Sequence, residues 1–233
     1  MNYFTSKRFS VISPIVLLHE NLLALTKSFT ESVRKGMIDE DELIFVDNGS
    51  QIGSDWAKKE GDLYVSYHYP VGYGEAMNAG IRLSKGKYVV FANNDMTVGP
   101  DWAQKMEKVL ESDPTIGIVS CNGQNMVPST GIAFNGIFWA AKRELIEEVG
   151  FFPHLAPRQG DDSDFCLRAV AAGWNITYAD FFFSHPERKQ THNQSTYNAS
   201  IRNSPQLKFQ TFQEKWGFRE QDWYREGLKR RNS

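Results

Sequence analysis

Short apolar runs that alternate with helix-period stretches constrain this chain more than any other feature. Phe9 to Leu17 is apolar and β-rich, and Asn21 to Lys35 then carries Leu22, Leu25, Phe29 and Val33 at helical spacing. Glu42 to Val46 is a second strand, ending abruptly in Asp47-Asn48-Gly49-Ser50, and Tyr64 to Tyr69 is a third. Gly74 to Lys85 reads as a helix stopped by Gly86; Tyr88 to Ala92 follows as a buried strand that ends in Asn93-Asn94-Asp95. A β-α-β alternation of this kind predicts a mostly parallel central sheet flanked by helices, an α/β fold.

Such sheets bind ligands beyond the carboxyl ends of their strands. Asp47 and Asp95 both stand just past an apolar strand, which puts both at that edge. Either turn alone is ordinary, because Asn and Asp after a strand satisfy local backbone. The two at corresponding positions point to a site.

The second half continues in kind. Pro100 to Leu110 is predicted helical, Ile116 to Ser120 a strand, Gly131 to Ala141 apolar and glycine-punctuated, and Arg143 to Val149 a helix. Asp161-Asp162-Ser163-Asp164 opens a helix over Phe165 to Ala172, closed by Gly173, and Ile176 to Phe183 is a last strand ending at Ser184-His185-Pro186. Glu187 to Ser204 is polar and reads as a mobile loop before a C-terminal helical tail.

Composition narrows the class. The 26 Lys and Arg against 28 Asp and Glu leave no global field to attract nucleic acid, although Ile201 to Ser233 holds eight basic and four acidic residues. A nucleic-acid or lipid-phosphate contact through that basic, aromatic tail (Trp216, Phe218, Trp223, Tyr224) is the less favoured reading; a helix packed on the body is preferred. No apolar run is long enough to span a bilayer, and Met1-Asn2-Tyr3-Phe4 does not open a secretory signal, so a soluble, cytoplasmic protein is expected. Cys121 and Cys166 have neither disulfide nor metal spacing.

Three constellations carry chemistry. In Asn93-Asn94-Asp95, a carboxylate past a buried strand can hold a divalent cation whose remaining ligands come from a diphosphate. Asp161, Asp162 and Asp164 exceed what capping requires, which points to a catalytic or metal role for at least one while another caps the helix. His185 closes the last strand at the ligand edge, with His192 as its rival. The cluster Gly72-Tyr73-Gly74 to Gly80 matches neither dinucleotide nor phosphate-loop spacing and reads as a tight turn at a helix start.

Taken in order, these segments resemble the family 2 glycosyltransferases of GT-A (Rossmann-like) fold, from about Phe9 to Pro186. Ser10-Val11-Ile12-Ser13-Pro14 is similar to the opening strand, and Val46-Asp47-Asn48-Gly49-Ser50 to the base-recognising turn. Asn78-Ala79-Gly80-Ile81 with Gly86-Lys87-Tyr88, then Asn93-Asn94-Asp95 with Pro100-Asp101-Trp102, resemble the segment around the metal-binding turn. Lys142-Arg143-Glu144, Val149-Gly150-Phe151, Asp161-Asp162-Ser163-Asp164 and Gly173-Trp174 resemble the acceptor half, and Lys215-Trp216-Gly217 a tail element.

The resemblance implies one catalytic domain over residues 1–200, with a nucleotide-sugar half at about 1–98 and an acceptor half at 99–190, then a helical tail over 201–233. It implies donor contacts from Pro14, Asp47, Asn78, Asn93 and Asp95. A divalent metal, Mn2+ or Mg2+, is expected on Asp95 and His185, and Asp162 is the implied base. Asp161, Asp164, Gly136 and Trp139 fall on the acceptor side. The expected partners are a nucleoside-diphosphate sugar, UDP- or dTDP-linked, and a glycan or lipid-linked acceptor. At a helix start, Asp162 is expected to stay ionised and to be a weak base. A sugar-nucleotide-forming enzyme would want a basic glycine loop after the first strand, which Pro14 to Glu20 lacks. Retention of Asp47, Asp95 and Asp162 together argues against a non-catalytic nucleotide-binding module.

Overall fold

The computed structural model describes residues 7–121, 134, 136–153, 160–185 and 211–233. Strands β1 (Lys7–Ile15), β2 (Glu42–Asn48), β3 (Leu63–Tyr67), β4 (Gly86–Ala92), β6 (Ile116–Cys121), β7 (Phe138–Lys142) and β8 (Asn175–Ala179) form one sheet in the order β3-β2-β1-β4-β7-β6-β8. All pairings are parallel except the two made by β7, which runs against β4 and β6. A second, two-stranded sheet pairs β5 (Thr97–Val98) with β9 (Phe183–Ser184).

Helices cover both faces because the strands are apolar on both. Phe9, Val11 and Ile15 of β1 and Tyr88 and Val90 of β4 pack with α1 (Glu20–Arg34), α2 (Ser54–Glu60) and α4 (Trp102–Ser112). Ile12, Val89 and Phe91 point the other way, toward α3 (Tyr73–Leu83), α5 (Arg143–Val149) and α6 (Asp161–Ala171). That second core also takes in Phe212 of α7 (Phe212–Trp216) and Trp223 of α8 (Trp223–Arg231), each 2% exposed. The tail is therefore packed on the body, with α8 laid against α6. Gly227 permits this contact, since a Cβ there would lie 3.0 Å from Val170 Cγ1.

Most sequence-predicted elements recur within two residues; one strand, one helix start and two short unpredicted elements differ. The predicted strand Ile176 to Phe183 is split into β8 and β9, which belong to different sheets. Helix α2 and strand β5, too short to show a period, were not expected from the sequence. Helix α6 begins at Asp161, so the acidic residues form its first turn; Gly160 is the N-cap, with no side-chain cap. The expected Asp cap is thereby corrected: Gly160 supplies the turn with backbone at φ +82°. The predicted loop Glu187 to Ser204 and His192 lie outside the described residues.

The topological switch falls between β1 and β4, where successive connections leave in opposite directions. Helix α3 is pressed onto β1 at Gly80, where a Cβ would stand 2.3 Å from Ile12 Cγ2. Gly80→Ala gains helix propensity of about 1 kcal/mol, but the overpacking cost of about 1–3 kcal/mol is expected to prevail. A lowered urea midpoint at unchanged slope checks this; a midpoint at or above wild type would refute it.

Candidate active site

The carboxyl edge beside the switch gathers residues from distant parts of the chain. Asp95 follows β4, and His185 follows β9. The β5–β9 pairing, Thr97 opposite Ser184, draws the two loops together. His185 Nε2 lies 3.2 Å from Asp95 Oδ1, with both side chains largely buried. An imidazole and a carboxylate meeting across ninety residues are donors that suit a transition-type or hard divalent cation with further oxygen ligands. Among the described residues, no three His, Cys, Asp or Glu side chains cluster as a metal site. Asn93 is partly buried, its N–H bonded to Ile137 O at 2.9 Å. Asn94 turns instead to Thr26 Oγ1 at 2.8 Å.

Asp47 is 2% exposed and faces its own chain. Its Oδ1 accepts from Ser50 N–H at 2.8 Å, and its Oδ2 accepts from the Ser54 and Tyr64 hydroxyls, each at 2.7 Å. Burial, then the hydrogen bond to Asp47, raises the Tyr64 pKa and keeps that hydroxyl a donor. A carboxylate has about four acceptor positions, so Oδ1 retains one. Pro14 sits opposite Val46 in the β1–β2 register, one residue before Ile15 meets Asp47.

Asn78 is committed to the backbone. Its amide nitrogen donates to Phe152 O and its amide oxygen accepts from Phe152 N–H, both at 2.9 Å, so the side chain clamps α3 to the segment leading toward α6. Gly74 has a similar role that spacing alone did not reveal. A Cβ there would lie 2.9 Å from Pro153 O and 3.1 Å from Asp161 Oδ1. The glycine admits Phe152, Pro153 and Asp161 against the start of α3.

The first turn of α6 sends its three carboxylates to different places. Asp164 is fully buried: Oδ2 accepts from Arg168 Nε at 2.8 Å, and Oδ1 accepts from Trp216 Nε1 at 2.7 Å and from Lys215 Nζ. It anchors the tail and is not brought to the surface. Asp162 is partly buried, with Oδ1 accepting from Ser163 N–H at 2.9 Å. Its Oδ2 occupies the space above Gly136, where a Cβ would stand only 2.3 Å away. Trp139 is fully buried with Phe91, Phe134 and Phe165 around its ring at centroid distances of 4.2, 5.5 and 5.5 Å, forming an apolar floor. Burial raises the Asp162 pKa from its ordinary value, outweighing the backbone N–H bonds that lower it. Burial here opposes the ionising influence expected from the helix start. Its charge reaches Tyr73 and Cys166, both pushed well up, chiefly by burial.

The topological switch of a mostly parallel sheet, with the Asp95–His185 pair beside it, is where folds of this kind bind ligands. The sequence profile of Glycosyl transferase family 2 matches residues 13–156, and the chain belongs to that family. The matched segment ends before α6, so the positions of Asp162 and His185 rest on the structure.

Solved structures of low identity share the fold. The mannosyltransferase PcManGT from Pyrobaculum calidifontis, in complex with GDP-Man and Mn2+, is 24% identical with a TM-score of 0.62, over 81% of this chain and 59% of that one. TarS 1–349 of S. aureus, in complex with UDP-GlcNAc, is 16% identical with a TM-score of 0.64, over 82% and 61%. Glucosyl-3-phosphoglycerate synthase from Mycobacterium tuberculosis, with Mn2+, UDP and phosphoglyceric acid, is 21% identical with a TM-score of 0.60, over 84% and 76%. The chain spans about three fifths of the PcManGT and TarS chains. No curated protein sequence matches it. No helix among the described residues is long and apolar enough to cross a membrane.

A carboxyl whose folded pKa is raised costs stability once it ionises. The cost is absent below the unfolded value near pH 4 and grows as pH rises through the folded value. Asp162→Asn is therefore expected to melt higher than wild type at pH 7, with the difference shrinking toward zero below about pH 4. Equal melting temperatures at neutral pH would contradict the raised pKa.

Proposed function

We propose that the chain is an inverting glycosyltransferase that moves a sugar from a nucleoside-diphosphate donor, UDP- or dTDP-linked, to a hydroxyl of a glycan or lipid-linked glycan. The observation that carries the reading is the 3.2 Å approach of His185 to Asp95 beside the switch point. It is supported by family membership and by the nucleotide-bound states of the structural relatives, two of which hold Mn2+. The fold halves suggested by the sequence, a donor half at about residues 1–98 and an acceptor half at 99–190, are part of the same proposal.

The base N–H of the nucleotide is assigned to the remaining acceptor position of Asp47 Oδ1, beside Pro14. Asp95 and His185 would hold a divalent cation, Mn2+ or Mg2+, which would supply positive charge to the diphosphate. Asn93 contributes its amide to the donor side, and Asn78 contributes by fixing Phe152. On the acceptor side, Asp162 takes the hydroxyl proton as the acceptor oxygen bonds to the anomeric carbon. The bond from that carbon to the phosphate oxygen breaks, and its electron pair leaves with the nucleoside diphosphate. Gly136 leaves room for Asp162, and Asp161 and Trp139 shape the wall and floor around it.

Asp162→Asn keeps the shape and loses the proton acceptor, so transfer is expected to fall by about 10²–10⁴-fold with little change in donor affinity. Asp161→Asn and Asp164→Asn provide the comparison: normal turnover in Asp162→Asn alone would overturn the assigned base. The raised pKa also places the acid limb of the kcat/KM profile above the ordinary Asp value of about 4, and Asp162→Asn should abolish that limb.

On the donor side, nucleoside diphosphate should bind more tightly with Mn2+ than without it, and Asp95→Ala should erase the difference. Calorimetry showing equal affinities for wild type with and without the ion would remove the metal from the proposal.

A further inference from the structure

The 3-10 turn Glu220–Asp222, which precedes α8, comes back to the first turn of α6. Between them lies an open cavity of about 370 Å³ lined by Ser163, Arg219, Glu220, Gln221 and Trp223, within the size range of small-molecule sites. Its position is built rather than incidental. Ser163 Oγ donates to Glu220 Oε1 at 2.8 Å. The space that the Glu220 carboxyl fills exists because residue 160 is glycine: a Cβ there would lie 2.6 Å from Glu220 Cδ. Ser163 is the residue next to Asp162, and the Asp162 charge is felt at Glu220, whose carboxyl is raised first by burial and then by that charge. All five lining residues lie outside the segment matched to the family.

The chemistry of the lining selects a ligand class. Among the described residues, Glu220 has no cationic partner, while Arg219 Nε is directed to Asp222 Oδ2 at 3.6 Å. An anionic ligand at the Glu220 wall meets like charge, while Arg219, the cation in the lining, is turned toward Asp222. A hydroxyl meets a carboxylate able to accept a charge-assisted hydrogen bond.

We propose that this cavity is an acceptor subsite for an uncharged, hydroxyl-rich ligand, a sugar ring. In it Glu220 accepts from a ring hydroxyl and selects against phosphorylated or carboxylated acceptors. The inference rests on the transferase reading, since the subsite would present its ligand to Asp162. It makes the C-terminal tail a determinant of acceptor choice.

The test uses the full chain and two matched sets of probes: methyl glycosides of glucose, galactose, mannose and N-acetylglucosamine, and their 6-phosphates. Binding is read at the Trp223 indole N–H by NMR, with Trp223→Phe to assign the signal. At least one neutral glycoside is expected to shift that signal and to bind about tenfold or more tightly than its 6-phosphate. Glu220→Gln should bring the two affinities to within about threefold, while Ser163→Ala, which keeps the charge, should preserve the preference. Should Glu220→Gln fail to melt cooperatively, Glu220→Asp replaces it; neutral affinity should then fall while discrimination persists.

Three results overturn the proposal: a 6-phosphate bound as tightly as its neutral parent by wild type, a ratio unmoved by the Glu220 variant, or no shift of Trp223 with any probe. Calorimetry with UDP-, dTDP- and GDP-sugars and Mn2+ separates this from the broader reading. Donor binding without glycoside discrimination sinks the subsite alone; no donor binding sinks the transferase assignment.

Discussion

The central strands are held together at the edge opposite the site by one buried carboxylate. Glu42 Oε1 accepts from Ser10 Oγ at 2.6 Å and from Lys85 N–H at 2.7 Å, and Ser10 Oγ accepts from Gly86 N–H at 2.7 Å. The beginnings of β2, β1 and β4 are thereby fastened to one another. Parallel strands have no hairpin turn to set their register, so side-chain bonds of this kind carry more of that burden. A slip of one residue would move a strand by about 3.3 Å and turn every side chain to the other face. Asp47 would then leave Ser54 and Tyr64, and Asp95 would leave the reach of His185. The geometry at the carboxyl edge is set from the amino edge.

Asp41 reinforces this fastening. Its buried carboxylate accepts from Arg8 Nε at 3.0 Å and Nη2 at 2.6 Å, and from the backbone N–H groups of Phe9 at 3.0 Å and Ile38 at 2.9 Å. Four donors from two segments satisfy a charge that would otherwise be costly to bury. The opposite edge can then afford incomplete satisfaction. Asp162, pressed over Gly136, accepts local backbone N–H bonds and is left with a raised pKa through burial. Stability invested at one end of the strands permits a strained electrostatic environment at the other.

The sheet was legible in the sequence wherever burial on both faces produced an unbroken apolar run, as in Glu42 to Val46 and Tyr88 to Ala92. The reversal of β7 was not, because strand direction leaves no mark on an apolar run paired on both sides. Strands β5 and β9, two residues each, exist only through their mutual pairing, and that pairing is what joins Asp95 to His185. Both residues could be singled out as following strands, but their meeting depends on a contact between segments with no local signal. The cluster at Asp161 to Asp164 shows a different limit. Its carboxylates are alike in sequence, and only the rotation of about 100° per helical residue separates them. That rotation leaves Asp162 at Gly136 and Asp164 facing Arg168, Lys215 and Trp216. The tail's composition suggested a packed helix, which Trp223 and Phe212 confirm by their burial. Its carboxylate contribution at Glu220 carried no signal, because one Glu among basic residues looks like a solvated charge.

Asp164 explains why tail and site cannot be treated separately. Its carboxylate is fully buried two residues from Asp162, and two of its three side-chain donors come from the tail. Without Lys215 and Trp216, a buried charge would retain only Arg168, an arrangement far costlier than the intact set. The first turn of α6 would then have to move to solvate Asp164, and a helical turn moves as a unit. Asp162 would leave its place above Gly136, and Ser163 would leave Glu220. The buried charge thus converts docking of the tail into alignment of Asp162 and Ser163, so residues beyond position 210 impose order on the first turn of α6.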